Sequence, residues 1–373
     1  MEFGVPKEVR DRERRVALTP AGVLSLKRAG HRIYIEHDAG ADAGFSDHGY
    51  EEAGGEIVYS SAEAYGRADI VVKVARPTAR EHELSRPGQI IFSFFYLPVA
   101  SSHHLHAMQE REITAIAFEM ILEDDGRQPV LLPASEVAGR LAPIIAGHAL
   151  MNDNGGRGVL LSGVPGVPPA AVVILGAGVL GVNAARAFLG LRAEITVLDR
   201  DLRRLHDLDD LLNGRATTML SNNYNIRRAV SFADVLIGAV HTHGARAPIL
   251  VTEDMVKRMR PGSLIIDFSI NSGGCVETSR PTTLRDPVYV THNVLHHCVP
   301  NITSSVARTA SYALNNAALP YLRDMGELGL ERAVRERSAI RRGINLYQGA
   351  LASPDLAAAL GRPLEIDLTA EER

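Results

Sequence analysis

The chain has 373 residues, which is more than one hydrophobic core ordinarily serves, so its length predicts two domains. Its composition, 46% hydrophobic and 23% charged residues with a formal net charge of -4, is typical of a globular protein and gives no electrostatic reason to expect nucleic acid as a partner. Two cysteines, Cys275 and Cys298, are too few for a disulfide framework, and the charged start "MEFGVPKEVRDRERR" differs from a signal peptide, so we expect a cytoplasmic protein.

The first part of the chain alternates short β-rich runs with helical runs, which predicts an α/β domain with a mostly parallel sheet. The predicted strands are "EFGVP", "RIYIEH", "DIVVKV", "QIIFSFFY" and "EITAIAFEM", with a helix near "PAGVLSLKRAG". A connecting helix is then expected from Ser135, as its N-cap, to Asn152.

The uncharged stretch of residues 158–185 is long enough to span a bilayer. Pro165, Pro168 and Pro169 would interrupt a single helix there, so we predict a linker, a buried strand and a glycine-rich turn. No membrane partner is expected.

A second alternation of strands and helices follows, and its apolar runs bounded by Gly, Asp or Asn form the doubly wound pattern. Its predicted strands are "AVVILG", "EITVLD", "TTMLS", "DVLIGAV" and "GSLIIDFS", and its helices are "LGVNAARAFLGL", "LRRLHDLDDLL", "NIRRAVSF" and "TEDMVKRM". After Asn301 a long helix is expected to return to the first domain. The predicted fold class is therefore α/β, with two Rossmann-like doubly wound domains joined by long helices.

The hexapeptide "GAGVLG" directly follows a predicted strand and opens a predicted helix, and Asp199 ends the next strand. This context predicts a dinucleotide site, because such glycines allow a tight turn, close approach of a pyrophosphate and close packing of helix on strand. Asp199 would accept hydrogen bonds from a ribose diol, which favours NAD over NADP, although Arg200 beside it could hold a phosphate. Backbone contacts are expected at Gly176, Gly178, Val179, Leu180 and Gly181.

These patterns assign residues 136–304 to an NAD-binding Rossmann domain, and residues 1–135 and 305–373 to a discontinuous substrate domain. In the latter, Arg15 lies in the run "RDRERR", where a plain surface arginine is the ordinary interpretation. Lys73 lies inside an apolar strand, where burial is costly unless the ammonium faces a cleft or a partner, so a functional lysine is favoured. A guanidinium and an ammonium in one cleft would suit an α-amino or α-keto acid.

Several segments together resemble the alanine dehydrogenase family, which is kin to the α subunit of nicotinamide nucleotide transhydrogenase. They are "GVPKEVRDRERRVALTPAGV", "VVKVARP", "PASEVAGRLA", "GGRGVLLSGVPGVPPAAVVILGAGVLGVNAARAFLG", "DLRRLHDLDD", "APILVTEDMVKRMRPGSLIIDFSINSGGCVETSRPTT" and "YALNNAALPYL". The resemblance covers essentially the whole chain. It implies two Rossmann-like domains, NAD(H) and a homo-oligomer, dimer-based or hexameric.

The same resemblance implies roles for individual residues. Substrate contacts are implied at Arg15, Lys73 and Asn301. NAD contacts are implied at Ser135, Asp199, Arg204, Ser221 and the strand end of Gly238, Ala239 and Val240. We also expect cofactor contacts at Asp267 and Asn271.

Two positions depart from the family pattern. The family's catalytic histidine falls on Tyr96, and its catalytic aspartate falls on Asn271. A phenol with a pKa of about 10 is a poor base at neutral pH, and an asparagine transfers no proton. The sequence therefore predicts an NAD-dependent oxidoreductase, an amino-acid dehydrogenase or imine reductase, that acts on the C–N bond of an amino or imino acid but not efficiently on alanine. Lys73, Tyr96 and Asn271 are its expected catalytic residues.

Four histidines of the cofactor domain are candidate functional residues: His241 and His243 follow its fourth predicted strand, and His296 and His297 immediately precede Cys298 and Asn301. No third element at ligand spacing accompanies them, so no metal is expected. They are either loop histidines without a role or include a relocated acid/base, at His243 or His297.

Two other functions stay open. One is a lyase or cyclase that keeps NAD bound and returns the hydride in each turnover. The other is a catalytically silent NAD-binding protein.

Overall fold

In the computed structural model, which describes residues 1–369, the chain divides into two compact units. Unit 1 comprises Met1–Ala134, His243–Ala245 and the chain from Ser304, and unit 2 comprises Ser135–Thr242 and Arg246–Thr303. The predicted domain limits lie one residue from these, but the sequence does not predict that His243–Ala245 groups with unit 1. Residues 370–373 of the predicted substrate domain lie outside the described residues. Within residues 1–369, no helix is both long and apolar enough to cross a membrane.

The strands are numbered in chain order over the described residues. They are β1 (Glu2–Val5), β2 (Arg32–Glu36), β3 (Glu56–Val58), β4 (Ile70–Ala75), β5 (Ile90–Phe94), β6 (Thr114–Ala117), β7 (Ala171–Leu175), β8 (Glu194–Asp199), β9 (Thr217–Leu220), β10 (Val235–Gly238), β11 (Leu264–Asp267), β12 (Val288–Thr291), β13 (Val294–His297), β14 (Ile344–Tyr347) and β15 (Ala350–Leu351).

The α-helices are numbered in the same way. They are α1 (Pro20–Arg28), α2 (Asp47–Glu52), α3 (Ser61–Arg67), α4 (Ala79–Leu84), α5 (Ser102–Glu110), α6 (Leu131–Ala149), α7 (Val179–Gly190), α8 (Leu202–Leu212), α9 (Asn223–Phe232), α10 (Glu253–Val256), α11 (Ala307–Leu328), α12 (Leu330–Glu336), α13 (Ser338–Gly343) and α14 (Pro354–Leu360).

Unit 1 is built on an eight-stranded sheet in the order β15-β14-β6-β5-β4-β1-β2-β3. The six strands from β1 to β6 pair in parallel, and β14 pairs antiparallel with β6 and β15. Side chains alternate between the two faces of the sheet, as the period of two in a strand requires. In β5, Phe92 packs into the core that includes α1 and α11, whereas Ile91 packs into the core that includes α5 and α14.

Unit 2 has a seven-stranded sheet in the order β12-β13-β11-β10-β7-β8-β9. All neighbours pair in parallel except β12 with β13. Counted from its first strand, this is the doubly wound order of a dinucleotide-binding fold, with helices α7 and α8 on one face and α9 and α10 on the other. The predicted α/β fold class is confirmed.

Several elements differ from the sequence prediction, among them the start of α6 and the strands β3, β12, β13, β14 and β15, which were not predicted. Helix α6 begins at Leu131, so Ser135 lies inside the helix and is not its N-cap. Pro133 allows this earlier start because a proline in the first turn breaks no intrahelical hydrogen bond. The antiparallel hairpin of β12 and β13 was not predicted. His292 and Asn293 form its two-residue turn with φ of 54° and 60°, the left-handed pair that such turns require.

Candidate functional site

In unit 1, charged and polar side chains gather where four parallel strands end. Arg15 follows β1, Lys73 lies on β4, Tyr96 follows β5 and Glu119 follows β6. Ligands of open α/β sheets bind beyond the carboxyl ends of the strands, because loops there can present side chains to a crevice. This edge of the sheet is therefore the candidate substrate site of unit 1.

Arg15 is fixed by a carboxylate two residues before it. Its Nε donates to Glu13 Oε1 at 2.7 Å and its second terminal nitrogen to Oε2 at 2.6 Å. Burial lowers the pKa of Arg15, but the Glu13 carboxylate more than offsets this and the pKa is raised. The guanidinium is thus permanently charged and oriented, as recognition of a carboxylate requires. Arg15 is therefore a half-buried residue with a side chain that is 11% exposed, and not the plain surface arginine that its sequence context suggests.

Lys73 is enclosed by protein carboxylates. It is 1% exposed, and its Nζ lies 3.0 Å from Glu8 Oε2 and 2.6 Å from Glu81 Oε1. Burial lowers the pKa of Lys73, yet Glu8 and Glu81 together raise it above the usual value. Glu8 also accepts from the backbone N–H of Val74 at 2.6 Å. The ammonium therefore ties the segment after β1 and helix α4 to β4, a geometry that suits an anchor better than a group that polarises a substrate.

Tyr96 lies two residues beyond the end of β5, in the left-handed conformation with φ 46° and ψ 50°. Its ring stacks on Phe94 at 6.1 Å between centroids. Burial and the nearby Glu119 raise the pKa of Tyr96, and the charge of Arg15 only partly opposes them. The phenol is therefore a hydrogen-bond donor at any working pH and not a base.

Glu119, which the sequence analysis missed, holds the turn that carries Tyr96. Its carboxylate accepts from the backbone N–H of Phe95 at 3.2 Å and of Tyr96 at 2.5 Å. The side chain is buried, and burial raises its pKa to about 7 although these amides oppose the shift. A carboxyl group that titrates near neutrality thus lies directly behind the phenol. In the sequence, this role of Glu119 is indicated by an acidic residue near the end of the otherwise apolar run "ITAIAFEM".

His243 packs within unit 1. Its Nδ1 lies 3.0 Å from Gln128 Nε2, which also donates to the Glu119 carbonyl oxygen at 2.6 Å. Because Gln128 is the donor, Nδ1 accepts and the proton resides on Nε2, 3.6 Å from an Asp355 carboxylate oxygen. Burial lowers the pKa of His243, and Asp355 opposes that shift. The histidine is thus connected to the backbone of Glu119.

His297 lies elsewhere, on β13 of unit 2. It is 6% exposed, and burial lowers its pKa to about 4. An imidazole buried in a strand and neutral at pH 7 has a packing role. Of the two histidines considered as relocated acid/base groups, only His243 packs in the same unit as Tyr96 and Glu119.

Among the described residues, one group of three side chains has metal-ligand atoms close together: His37, Asp38 and Asp47. The two carboxylates flank opposite nitrogens of the imidazole ring. That arrangement is an exposed ion-pair cluster and not a cage around one ion.

The glycine-rich turn of unit 2 has the geometry of a phosphate cradle. Gly176 has φ +109°, and a Cβ there would lie 2.4 Å from the Ala239 carbonyl oxygen. At Gly181 a Cβ would lie 1.8 Å from the Gly176 carbonyl oxygen, so helix α7 can pack only without it. A Cβ at Gly178, the N-cap of α7, would meet nothing within 4 Å, so open space adjoins the helix N-terminus. Val179 and Leu180 form the first turn of the helix behind it, and the residues fit a bound pyrophosphate.

Asp199 ends β8 beside this turn. Its Oδ2 accepts from the backbone N–H of Ala177 at 2.7 Å, and its Oδ1 accepts from that of Asp201 at 2.8 Å. Ser221 reaches the same corner, since its backbone N–H donates to the Asp199 carbonyl oxygen. Each carboxylate oxygen keeps a lone pair for a ribose hydroxyl.

The ends of β10 and β11 are locked together. The Val240 backbone N–H donates to Ser269 Oγ at 3.1 Å, and the hydroxyl donates back to the Val240 carbonyl at 2.8 Å. Asp267 is 1% exposed and accepts from the backbone N–H of Ser269 and of Cys275. Its carboxylate therefore holds the loop that carries Asn271 and faces away from solvent. Asn271 is half-buried in the 3-10 turn Phe268–Ser272 and hydrogen-bonds no other described side chain.

Three further residues with implied roles also belong to unit 2. Ser135 lies inside α6, Arg204 is exposed in the first turn of α8, and Asn301 follows β13.

Comparison with known proteins identifies the family. The family profiles described as "Alanine dehydrogenase/PNT, N-terminal domain" and "Alanine dehydrogenase/PNT, C-terminal domain" match residues 4–138 and 142–354. Alanine dehydrogenase of Methanococcus maripaludis is 43% identical over 364 residues, 97% of each chain. That of Mycobacterium tuberculosis is 43% identical over 363 residues, 97% of this chain and 98% of the relative. A solved L-alanine dehydrogenase, 41% identical, superposes with a TM-score of 0.89 over 97% of this chain and 99% of its own. The chain therefore belongs to the alanine dehydrogenase/PNT family.

Proposed function

We propose that this protein is an NAD-dependent dehydrogenase that acts on the C–N bond of an amino or imino acid, with a proton-transfer apparatus unsuited to alanine. The observation that carries the proposal is the pairing at the tip of β5. There, the phenol of Tyr96 stays protonated, and the carboxyl group of Glu119 behind it has a pKa of about 7.

The cofactor is NAD. Support comes from the cradle at Gly176, Gly178 and Gly181 and from Asp199, whose negative charge favours a free ribose diol over a 2′-phosphate. Bound NAD+ supplies the hydride acceptor, or NADH the hydride donor. The chain's part is to hold the pyrophosphate at the N-terminus of α7 and the ribose at the end of β8.

On the substrate side, Arg15 binds the α-carboxylate, with its fork oriented by Glu13. Lys73 acts as a positioning residue, since both nearest carboxylates belong to the protein. Tyr96 donates a hydrogen bond to the substrate nitrogen or to an oxygen at the reacting carbon. Glu119 takes up or releases a proton near neutral pH, and Asn271 offers an amide for a polar substituent.

Oxidative deamination of alanine also requires water to add to the imine and ammonia to leave, and each step needs a group that gains and loses protons easily at neutral pH. The phenol of Tyr96 and the amide of Asn271 do not. Glu119 does, but it lies behind Tyr96 as a buried carboxyl group, and both its oxygens accept from the backbone N–H groups of Phe95 and Tyr96, so it acts on the substrate only through Tyr96. A substrate whose C–N bond needs only hydride transfer, such as a preformed cyclic or substituted imine, depends less on those steps.

A coupled pair of measurements tests the proposal. NADH formation is followed at 340 nm with NAD+ and a panel of L-amino acids that includes alanine and acidic members, and NADH consumption is followed with cyclic imino acids. We expect turnover with at least one imino or amino acid and slow turnover with alanine. Product formed without net change in NADH would indicate the lyase or cyclase, and NADH binding without any turnover would indicate a silent binding protein.

A further inference from the structure

Two arginines at the candidate substrate edge of unit 1 are held close together. Arg10 follows β1, and its Nε donates to the Arg76 carbonyl oxygen at 3.0 Å while a terminal nitrogen donates to that of Pro77 at 3.3 Å. Arg76 follows β4 and donates to the Phe95 carbonyl oxygen at 3.1 Å. Both side chains are half-buried and fixed by backbone carbonyls.

Neither of these guanidinium groups forms an ion pair with a carboxylate of the described chain, residues 1–369. The contrast with their neighbours is direct: Arg15 is paired with Glu13, and Lys73 with Glu8 and Glu81. Like charges held together in a half-buried setting are unfavourable unless an anion neutralises them.

The pKa of Arg76 reflects this uncompensated charge. Burial lowers the pKa of Arg76, and the charge of Arg10 lowers it further. Glu119 is the carboxyl group that acts on Arg76, but its oxygens are engaged by two backbone amides and its pKa is about 7, so it is only a partial counter-ion.

The pair adjoins the reacting groups. The carbonyl that Arg76 binds belongs to Phe95, the residue before Tyr96, and the amide N–H groups of both residues are held by Glu119. Arg10 lies on the same segment after β1 as Arg15. An anion held by Arg10 and Arg76 would therefore lie beside the site that Arg15 and Tyr96 define, and not on a remote surface.

We propose that Arg10 and Arg76 form a second anion subsite, and that the substrate is an amino or imino acid with an acidic group on its side chain. The side-chain anion lies between the two guanidinium groups while Arg15 holds the α-carboxylate. A carboxylate and a phosphoryl group share the chemistry that this subsite recognises. This inference rests on the proposed function for its substrate, but not for the anion subsite itself.

The test compares acids with their neutral counterparts of nearly the same shape. Dissociation constants of the protein saturated with NADH are measured by calorimetry for L-aspartate against L-asparagine, L-glutamate against L-glutamine, and O-phospho-L-serine against L-serine. At least one acid should bind about tenfold or more tightly than its neutral counterpart, as expected for a charge-assisted bidentate contact. The Arg10→Gln/Arg76→Gln double variant should lose that preference and keep the neutral affinities, and Arg76→Lys should retain part of it.

Arg80→Gln is the matched control, because Arg80 is exposed on the adjacent helix α4 and should leave the preference unchanged. A second measurement needs no substrate and compares inorganic phosphate with chloride at equal ionic strength. Phosphate should raise the melting temperature of the wild type more than that of the double variant. Equal binding of acids and neutral counterparts by the wild type, or a preference that survives in the double variant, would overturn the proposal. If no amino acid binds at all, the proposed function fails, while the phosphate measurement still decides whether the subsite exists.

Discussion

The carboxylate of Glu119 accepts a hydrogen bond from the backbone N–H of Tyr96, a residue in the left-handed conformation. Tyrosine at positive φ is strained, and a buried acceptor that holds its amide compensates for this. Through this bond Glu119 supports the turn that carries the phenol. Of the two residues, it is the one whose pKa lies near neutrality, because burial raises its pKa to about 7 against the opposing effect of the bound amides.

Glu119→Gln should remove that titration while keeping an acceptor for both amides. The pKa of Glu119 is raised from 4.5 to about 7 on folding, so between these pH values the folded state binds more protons and stability falls as pH rises. The variant should therefore gain stability over the wild type as pH increases from 5 to 8. Urea unfolding at pH 5, 6.5 and 8 measures this, and a difference that stays constant with pH would contradict it. A group of pKa about 7 should also disappear from the pH profile of kcat/KM.

Lys73→Met should destabilise the protein strongly, by about 3–5 kcal/mol at pH 7, because it leaves Glu8 and Glu81 buried without their shared cation. The loss should shrink when Glu81→Gln is added, since one carboxylate is then neutral. Urea unfolding of the single and double variants checks both statements. If Lys73→Met abolishes turnover but unfolds at the wild-type urea concentration, the lysine contacts substrate and the anchor role is wrong.

His82 and His104 form a buried pair, with 2.6 Å between His82 Nε2 and His104 Nδ1. Burial lowers their pKa values to about 4 and about 3, and the unfolded chain titrates near 6.5. Their contribution to stability is therefore present above pH 6.5 and is lost as pH falls toward 4. Between pH 7.5 and pH 5.5 the free energy of unfolding decreases. Replacing both histidines by leucine should make this decrease smaller by about 1–3 kcal/mol. His103→Leu, at an exposed neighbouring position, should change the acid sensitivity little, and an equal effect of both variants would refute the assignment.

Substitutions at two neighbouring glycines should distinguish an effect on stability from an effect on cofactor binding. Gly176→Ala should destabilise unit 2, because φ is +109° and the Cβ would meet a backbone oxygen at 2.4 Å. In Gly178→Ala the added Cβ meets no protein atom within 4 Å, so the melting temperature of this variant should stay close to that of the wild type. NADH should bind to it at least about tenfold more weakly than to the wild type. Fluorescence titration with NADH and thermal unfolding give the two readouts. Unchanged NADH affinity in Gly178→Ala would contradict the placement of the pyrophosphate.

The parts of the fold and site that the sequence predicts are those encoded locally. The glycine turn and Asp199 lie within one strand–helix–strand unit, and Asp199 accepts from the backbone N–H of Ala177 in that turn. The start of α6 was wrong because Ser135 has the chemistry of an N-cap, whereas Pro133 had already defined the first turn.

The rest of the site depends on contacts between distant segments. Glu8 reaches Lys73 from the segment after β1, a contact that spans 65 residues, and Glu81 reaches it from helix α4. An intrastrand lysine therefore suggests a site but does not reveal whether a substrate or the protein supplies its counter-ion. The grouping of His243–Ala245 with unit 1 is likewise a tertiary result that no local pattern contains.

The most direct test of the central claim is kcat/KM for L-alanine oxidation by the wild type and by the Tyr96→His/Asn271→Asp double variant. Histidine tolerates the left-handed backbone at position 96, so the turn should be retained. Because a restored acid/base typically contributes about a hundredfold or more, the double variant should exceed the wild type by at least that factor. Wild-type turnover of alanine at about 1–1000 per second, as is usual for enzymes, would contradict the account. So would a folded double variant that gains nothing.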